Sequence, residues 1–484
     1  MLSIFIALFY SVQLDTNFNY PETRRELVTD TFHGVEVSDP YRWLENDVRT
    51  NEEVELWVSA ENEVTEAYLD SIAVRPQIKN ALTKAWNYPK LGQPFHRGSR
   101  WFQSRNSGLQ NHSVIYTGDS PTNINAVLLD PNSFSEDGTH ALSMYNPSPK
   151  GTFLTWGISK AGSDWSVWYS KNLVTGENLP EVLRDIKNDS PSWLPDESGF
   201  YYSRYPHSDS KGHIETTDGS ELWFHKMGTE QTEDTLVWSD PEHPDRFYGA
   251  SVTTDGGWLI VSVNEGTSSN NALLVKGPDK TKLRWIITNF VASFKLIGGI
   301  GNTLWFKTDD QAPRGKIISV TFEGMDITIK DVIPQQEKIL RSADIVGGKI
   351  TATWLEDAST KATVHSLDGT ELYSVKMPGI GTASGFGGQN DDTSVYWSYS
   401  SYNYPPAIFN LNLSSGNSTL VWKTEFPIDL SNMLVQRKFV TSTDGANVPL
   451  FIVSHKNTVL DGNNPVLLYG YGGFNISILP RFSA

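Results

Sequence analysis

The sequence predicts a mostly β protein, a seven-bladed β-propeller with a helical segment before it and the opening strands of an α/β domain after it. Three observations carry that reading. Helical periodicity is confined to residues 50–86, where Val54, Trp57, Val58, Val64 and Tyr68 fall near one helical face. Beyond Asn87-Tyr88-Pro89 it gives way, for about 350 residues, to short strands divided by Gly, Asn and Asp turns. Those strands then recur at a regular interval.

The helical stretch opens on Thr50 and Glu53, which have the spacing of a capping box. A second helix follows Pro76, a residue suited to a first helical turn, and is expected to turn Ile78, Leu82 and Ala85 inward. The repeat is a Gly or Asp turn leading into an apolar, aromatic-rich strand: Gly98 to Phe102, Gly151 to Trp156, Gly199 to Tyr202, Gly257 to Val261, Gly301 to Phe306, Gly347 to Trp354 and Asp392 to Trp397. Successive anchors are 53, 48, 58, 44, 46 and 45 residues apart, and a four-stranded blade takes about 40–50 residues. Turns such as Asp196 to Gly199 and Asp255-Gly256-Gly257 reverse the chain between antiparallel strands, while the flanking apolar residues bury between blades. A β-sandwich yields similar strands, but not seven at this period.

After about Leu434 the texture changes. Gln436 to Thr441 and Val448 to His455 read as strands joined across Asp444-Gly445. Pro465 to Tyr469 reads as a buried apolar strand running into Gly470-Tyr471-Gly472-Gly473-Phe474. A buried strand ending in a Gly-rich turn is how α/β-hydrolase sheets present backbone amides to a reacting carbonyl. The expected division is residues 1–87, a helical N-terminal segment; 88–434, the propeller; and 435–484, the first strands of an incomplete hydrolase domain.

Composition limits the function. Hydrophobic residues make up 38 % of the 484, aromatics 12 % and charged residues 20 %, a globular balance with material for a large core. Thirty-nine basic against 56 acidic residues give a net charge of −17, which disfavours nucleic acid or an anionic membrane surface as partner. The excess serves solubility, or attracts basic peptides; composition does not separate the two. With no cysteine, disulfides, Cys-ligated zinc and thiol catalysis are excluded. No His-Glu-x-x-His spacing or phosphate-cradling loop occurs, so no metal or other cofactor is expected. Residues Met1 to Val12 are apolar but lack a basic start and a small-x-small cleavage site, and they are too short to span a bilayer. A cytoplasmic location is expected, with secretion as the alternative.

Several stretches, in order along nearly the whole chain, are similar to the prolyl oligopeptidase family of α/β-hydrolase serine peptidases. They are Tyr20-Pro21 and Asp39-Pro40-Tyr41-Arg42-Trp43-Leu44-Glu45; Gly108-Leu109-Gln110-Asn111, Leu129-Asp130-Pro131-Asn132 and Gly162-Ser163-Asp164-Trp165; then Phe451-Ile452-Val453, Leu460-Asp461-Gly462 and Leu468-Tyr469-Gly470-Tyr471-Gly472-Gly473-Phe474-Asn475-Ile476-Ser477. The resemblance implies a propeller capping a hydrolase domain built from both chain ends, cleavage of short peptides after proline, and a tunnel that excludes folded proteins. It implies that Tyr471 donates its phenolic hydroxyl to the oxyanion, and that Phe474 lines the pocket that accepts proline. It further implies a departure near Asn188, where the family often places an aromatic, and near Asn264, where a basic side chain is replaced.

Acyl transfer of this kind needs a Ser, a His and a carboxylate around an elbow such as Gly-x-Ser-x-Gly. No such elbow occurs in the 484 residues, and in this family the three residues lie beyond the Tyr-Gly-Gly-Phe turn. None of the ten histidines substitutes: His33, His207, His213 and His243 sit beside turns and charges and read as exposed loop residues. The polypeptide alone is therefore expected to be inactive, a part of a peptidase that engages short proline-containing peptides as a monomer. The alternative is a stand-alone propeller, or pseudoenzyme, that binds peptides or proteins without hydrolysis. A chain running some fifty residues past its last blade favours the first.

Overall fold

Each glycine or aspartate turn read from the sequence opens the second strand of a four-stranded antiparallel sheet. The computed structural model describes residues 18–206, 218–278, 282–324, 326–473 and 476–484. Seven such sheets follow one another as blades 1 to 7, spanning residues 90–129, 140–187, 192–238, 246–287, 294–333, 339–374 and 382–423. In blade 1 the first strand is split, so that Lys90–Leu91 and Phe95–Arg97 both pair with Arg100–Asn106.

The first strand of each blade is the inner one. A Cβ placed on Gly298, in the first strand of blade 5, would lie 2.9 Å from Ile345 in the first strand of blade 6, so these strands abut. Fourth strands such as Asp326–Ile333 and Ser418–Lys423 are largely exposed and form the rim. Alternation along the strands sends side chains to the two faces of each blade, and there they meet the neighbouring blades. Six apolar clusters result, one at each junction from blades 1–2 to blades 6–7. Trp168, Trp354 and Trp397 are fully buried within them. Burying one such ring is worth about 2–3 kcal/mol.

The junction of blades 7 and 1 is different. Among the described residues every blade is made of contiguous chain, and no borrowed strand closes the ring. Among the described residues no cluster of buried apolar side chains fills this junction either. Polar contacts hold it. Gln93 Nε2 donates to the Ser384 carbonyl and to Ser398 Oγ, both at 2.8 Å. His96 Nε2 lies 2.7 Å from Asp392 Oδ1, and Trp101 meets Tyr396 edge-on at 5.8 Å.

Turns of adjacent blades also lock together. Glu197, buried in the turn of blade 3, accepts from Ser148 Oγ at 2.5 Å and from the Lys150 amide at 2.7 Å in blade 2. Trp258 Nε1 of blade 4 donates to the Gly301 carbonyl of blade 5 at 2.9 Å. Residues 386–393 of blade 7 form a longer loop, anchored by the buried Phe386 stacked on Trp397. Asn390 Nδ2 in that loop donates 2.8 Å to Thr254 Oγ1 of blade 4, so the loop straps across the ring rather than to a neighbour.

A second compact unit contains residues 18–84 together with 458–470. Helix α1 (Glu52–Ser71) is capped by Asn51, whose side chain accepts from the Val54 amide at 3.1 Å. Asn51 therefore caps in place of the expected Thr50, whose hydroxyl bonds the Asp47 carbonyl instead. Val54 is buried and Trp57, Val58, Val64 and Tyr68 are half-buried, as the periodicity predicts. In helix α2 (Arg75–Trp86) Ala85 is buried but Ile78 and Leu82 are exposed.

The strands expected after the propeller form one hairpin, Met433–Thr441 with Asn447–His455. Pro465 to Tyr469 differs from expectation: it is not a strand, and Val466, Leu467, Leu468 and Tyr469 are 72–93 % exposed. A strand requires a neighbour for its amides and carbonyls, and no described strand pairs with this segment.

Candidate functional site

The sequence stretches that carry the family likeness build structure before they build chemistry. In Asp39 to Glu45, the Arg42 guanidinium pairs with both Asp39 and Asp30, tying a 3-10 turn to the hairpin of residues 29–38. Trp43 is buried, donates from Nε1 to the Arg24 carbonyl at 2.8 Å, and meets Trp57 edge-on at 6.4 Å. In Gly108 to Asn111, the Gly108 amide donates to Asn106 Oδ1 at 2.9 Å and its carbonyl accepts from Lys90 Nζ at 2.7 Å. In Leu129 to Asn132, Asp130 caps a 3-10 turn by accepting from the Asn132 amide at 3.0 Å.

The resemblance assigns chemistry to Tyr471 and Phe474. Tyr471 is 49 % exposed, and its hydroxyl lies 3.2 Å from where a Cβ on Gly473 would stand, so glycine lets the phenol lie back over the turn. Phe474 lies outside the described residues. Downstream, the Pro480 carbonyl accepts from Thr382 Oγ1 of blade 7 at 2.8 Å. Phe482 packs edge-on against Phe426 at 4.7 Å and against Tyr88 at 6.3 Å. Tyr88 and Phe426 flank the first and last strands of the ring, so this segment is moored where the chain enters and leaves the propeller.

Asn188 adopts φ 52°, in the left-handed region that Asn tolerates better than a bulky aromatic. The backbone there accounts for the residue without reference to a ligand. Beside it, burial pushes the Asp189 carboxyl up to about 7, although the Ser203 amide donates to it at 2.5 Å. Asn264 sits in the second strand of blade 4 and turns its amide back to the Phe247 and Ser262 carbonyls at 3.5 and 3.4 Å. His33 and His243 are exposed, and His207 and His213 lie outside the described residues. Among the described residues two histidines are buried: His225 pairs with Asp234 at 2.8 Å, and His365 bonds Thr363 at 2.8 Å. No described serine hydroxyl bonds to either ring, so neither forms a nucleophile–base pair.

Sequence reasoning missed the ring junction. A cavity of about 330 Å³ opens there, lined by His96, Arg97, Trp101, Gln389, Asp392 and Tyr396 among others. The hydrogen bond that His96 donates to Asp392 raises its imidazole above the ordinary 6.5, against the pull of burial. Burial opposes ionisation of Asp392, but His96 and the Gln389 amide, at 2.6 Å, hold it below the usual carboxylate range. His96 and Asp392 are 296 residues apart, and only the closed ring brings them together.

Seven contiguous blades with a polar junction place the chain among seven-bladed propeller proteins. The family model described as "Prolyl oligopeptidase, N-terminal beta-propeller domain" matches residues 20–424. The prolyl endopeptidase of Elizabethkingia meningoseptica is 38 % identical over 489 residues, which cover all of this chain and 68 % of that one. Prolyl oligopeptidase A of Amanita bisporigera is 32 % identical, over 96 % of this chain and 66 % of the other. A structure of prolyl oligopeptidase B from Galerina marginata, bound to a 35mer hydrolysis and macrocyclization substrate, superposes with a TM-score of 0.86 at 28 % identity, over 96 % of this chain and 69 % of that one. The chain belongs to the prolyl oligopeptidase family and spans about two thirds of the length of these relatives.

Proposed function

We propose that these 484 residues are the propeller-bearing part of a serine peptidase that cleaves proline-containing peptides, with the ring governing which peptides reach the reacting centre. The single observation that supports this best is the ring itself, seven blades matching the family over residues 20–424 and superposing on a peptide-bound relative. In this reading Tyr471 donates its hydroxyl to the oxyanion of the tetrahedral intermediate. A donor that strengthens as charge develops on oxygen accelerates the chemical step without tightening substrate binding. Phe474 forms the flat wall against which the proline ring packs. Acylation itself requires a Ser, a His and a carboxylate, and these residues hold no elbow to present the Ser.

Two measurements test this. The 484-residue polypeptide is expected to take no label from a fluorophosphonate probe and to turn over no Gly-Pro amide; labelling or turnover overturns its inactivity. A chimera joining residues 1–484 to the remaining third of the Elizabethkingia meningoseptica enzyme is expected to hydrolyse the Gly-Pro amide. In that chimera Tyr471→Phe should lower kcat by about 10²–10³ with KM nearly unchanged. A chimera that folds but hydrolyses nothing, or a Tyr471→Phe variant at full kcat, refutes the assignment.

A further inference from the structure

Blade 5 contains a pairing that a sheet normally avoids. Lys295 in its first strand stands directly opposite Lys307 in its second, and like charges so placed repel. Their common face is fixed by alternation. Phe306 belongs to the apolar cluster of blades 4 and 5, whereas Trp305, two residues before Lys307, belongs to that of blades 5 and 6. Both lysines therefore face blade 6.

Blade 6 meets them with a third cation. Arg341 falls at the bulge between Leu340 and Ser342, where the pairing of its strand with the next one slips by a residue, a device that re-aims a side chain. After burial, Lys295 lowers the Lys307 ammonium, Asp309 opposes it, and Arg341 adds a smaller lowering, which places the three cations within reach of one another. Two carboxylates stand nearby. Asp309 accepts from the Ser293 amide at 2.7 Å, and Asp344, which senses Lys295, is itself pushed up by burial to about 6. Yet among the described residues no carboxylate oxygen comes within 4.0 Å of any of the three cations, and none of them makes a side-chain hydrogen bond.

The location is specific. Lys295 is the second residue of its strand, Lys307 the penultimate of its own, and Arg341 the third of the first strand of blade 6. First strands start, and second strands finish, at the end of the ring where the chain enters at Lys90 and leaves after Lys423. In a chain of net charge −17, three cations without a salt-bridge partner, on the first and second strands at one mouth, are a local rule broken, as occurs where a ligand completes the site.

We propose that Lys295, Lys307 and Arg341 form a carboxylate-binding site at this mouth of the propeller. It takes the terminal carboxylate, or an Asp or Glu side chain, of a peptide entering the ring. This rests on the reading that the ring receives peptides and adds a preference for acidic ones. Arg341 is suited to a bidentate bond and the two lysines to supporting point charges.

The test is calorimetric titration of the full 484-residue chain with three Gly-Pro octapeptides: neutral and amidated, amidated with two Asp residues, and neutral with a free terminus. At low salt one or both carboxylate-bearing peptides should bind roughly tenfold or more tighter than the neutral amide. Which of the two gains identifies the carboxylate read. The gain should shrink at 0.3 M salt and vanish in the Lys307→Met/Arg341→Gln variant. That variant should melt no lower than the parent, since it relieves repulsion. Equal affinity for all three peptides overturns the site while leaving the peptide reading intact. A carboxylate preference that survives the double substitution overturns it as well. If none of the peptides binds, the site fails, and the peptide reading is judged by hydrolysis in the chimera.

Discussion

Replacing Asp392 by Asn tests how the ring is held shut. The substitution keeps the shape but removes the charge that bonds His96 Nε2 at 2.7 Å and accepts from the Gln389 amide at 2.6 Å. A hydrogen bond to a charged group contributes about 1.5–3 kcal/mol when well shielded. Both partners here are partly exposed, so solvent screening reduces the expected loss to about 1–2 kcal/mol. For a ring of residues 90–423, unfolding entropy of about 0.7 kcal/mol per kelvin makes that a fall of ~2 °C in Tm. The pH dependence is the sharper signature. The His96 imidazole is raised above 6.5, so its contribution is complete below that value and is lost as pH climbs through the raised pKa. Asp392 is depressed below 3.8, so its contribution is present above 3.8 and is lost as pH falls through the lowered one. The junction is tightest between those limits. Calorimetric melts of parent and variant should differ most near about pH 5–6 and least at about pH 8–9. A deficit that stays constant across this range, or grows toward alkaline pH, refutes the ion-pair account of closure.

Other perturbations separate the remaining contacts. Glu197→Ala leaves the Ser148 hydroxyl and the Lys150 amide without their buried acceptor and should cost about 2–4 kcal/mol in urea unfolding, with Glu197→Gln recovering part of it. Gly347→Ala places a Cβ 2.3 Å from the Asp392 carbonyl oxygen at φ +57°, and a thermal melt should show a loss of at least ~2 kcal/mol. Asp189 has a carboxyl raised to about 7, so the folded state retains a proton that the unfolded chain releases, and stability falls as pH rises from about 4 to 7. Asp189→Asn removes that slope and should gain on the parent between pH 5 and pH 8 in paired melts.

The sequence made the blades legible because each is local. A turn, an aromatic strand and a period near 49 residues lie within one stretch of chain, and all seven predicted strands occupy the same place in their sheets. The helix ends were legible in kind but displaced by one residue, since Thr50 and Asn51 are both competent caps and only geometry selects Asn51. Ile78 and Leu82 show the limit of periodicity: it marks an apolar stripe but not what covers it. Pro465 to Tyr469 shows the same for a strand, whose pairing depends on a neighbour rather than on its own residues. The His96–Asp392 contact left no local signal, because each residue taken alone reads as an ordinary turn polar group. The Lys295–Lys307 pairing required the register of blade 5, and the aim of Arg341 required a bulge, neither of which a hydrophobic pattern encodes.

The strap from Asn390 to Thr254 alters the mechanics of this ring. Blades coupled only to their neighbours behave as a linear array bent until its ends touch, and such an array frays from its ends. Here the ends are blade 1 and blade 7, joined by polar contacts, while six apolar junctions lie between them. A chord from blade 7 to blade 4 divides that circle into two arcs. Fraying at the junction can then proceed freely through blade 1, but to swing blade 7 outward the chord must break as well. The two sides of the same seam thus differ in compliance, and blade 1 is the softer leaf of the hinge.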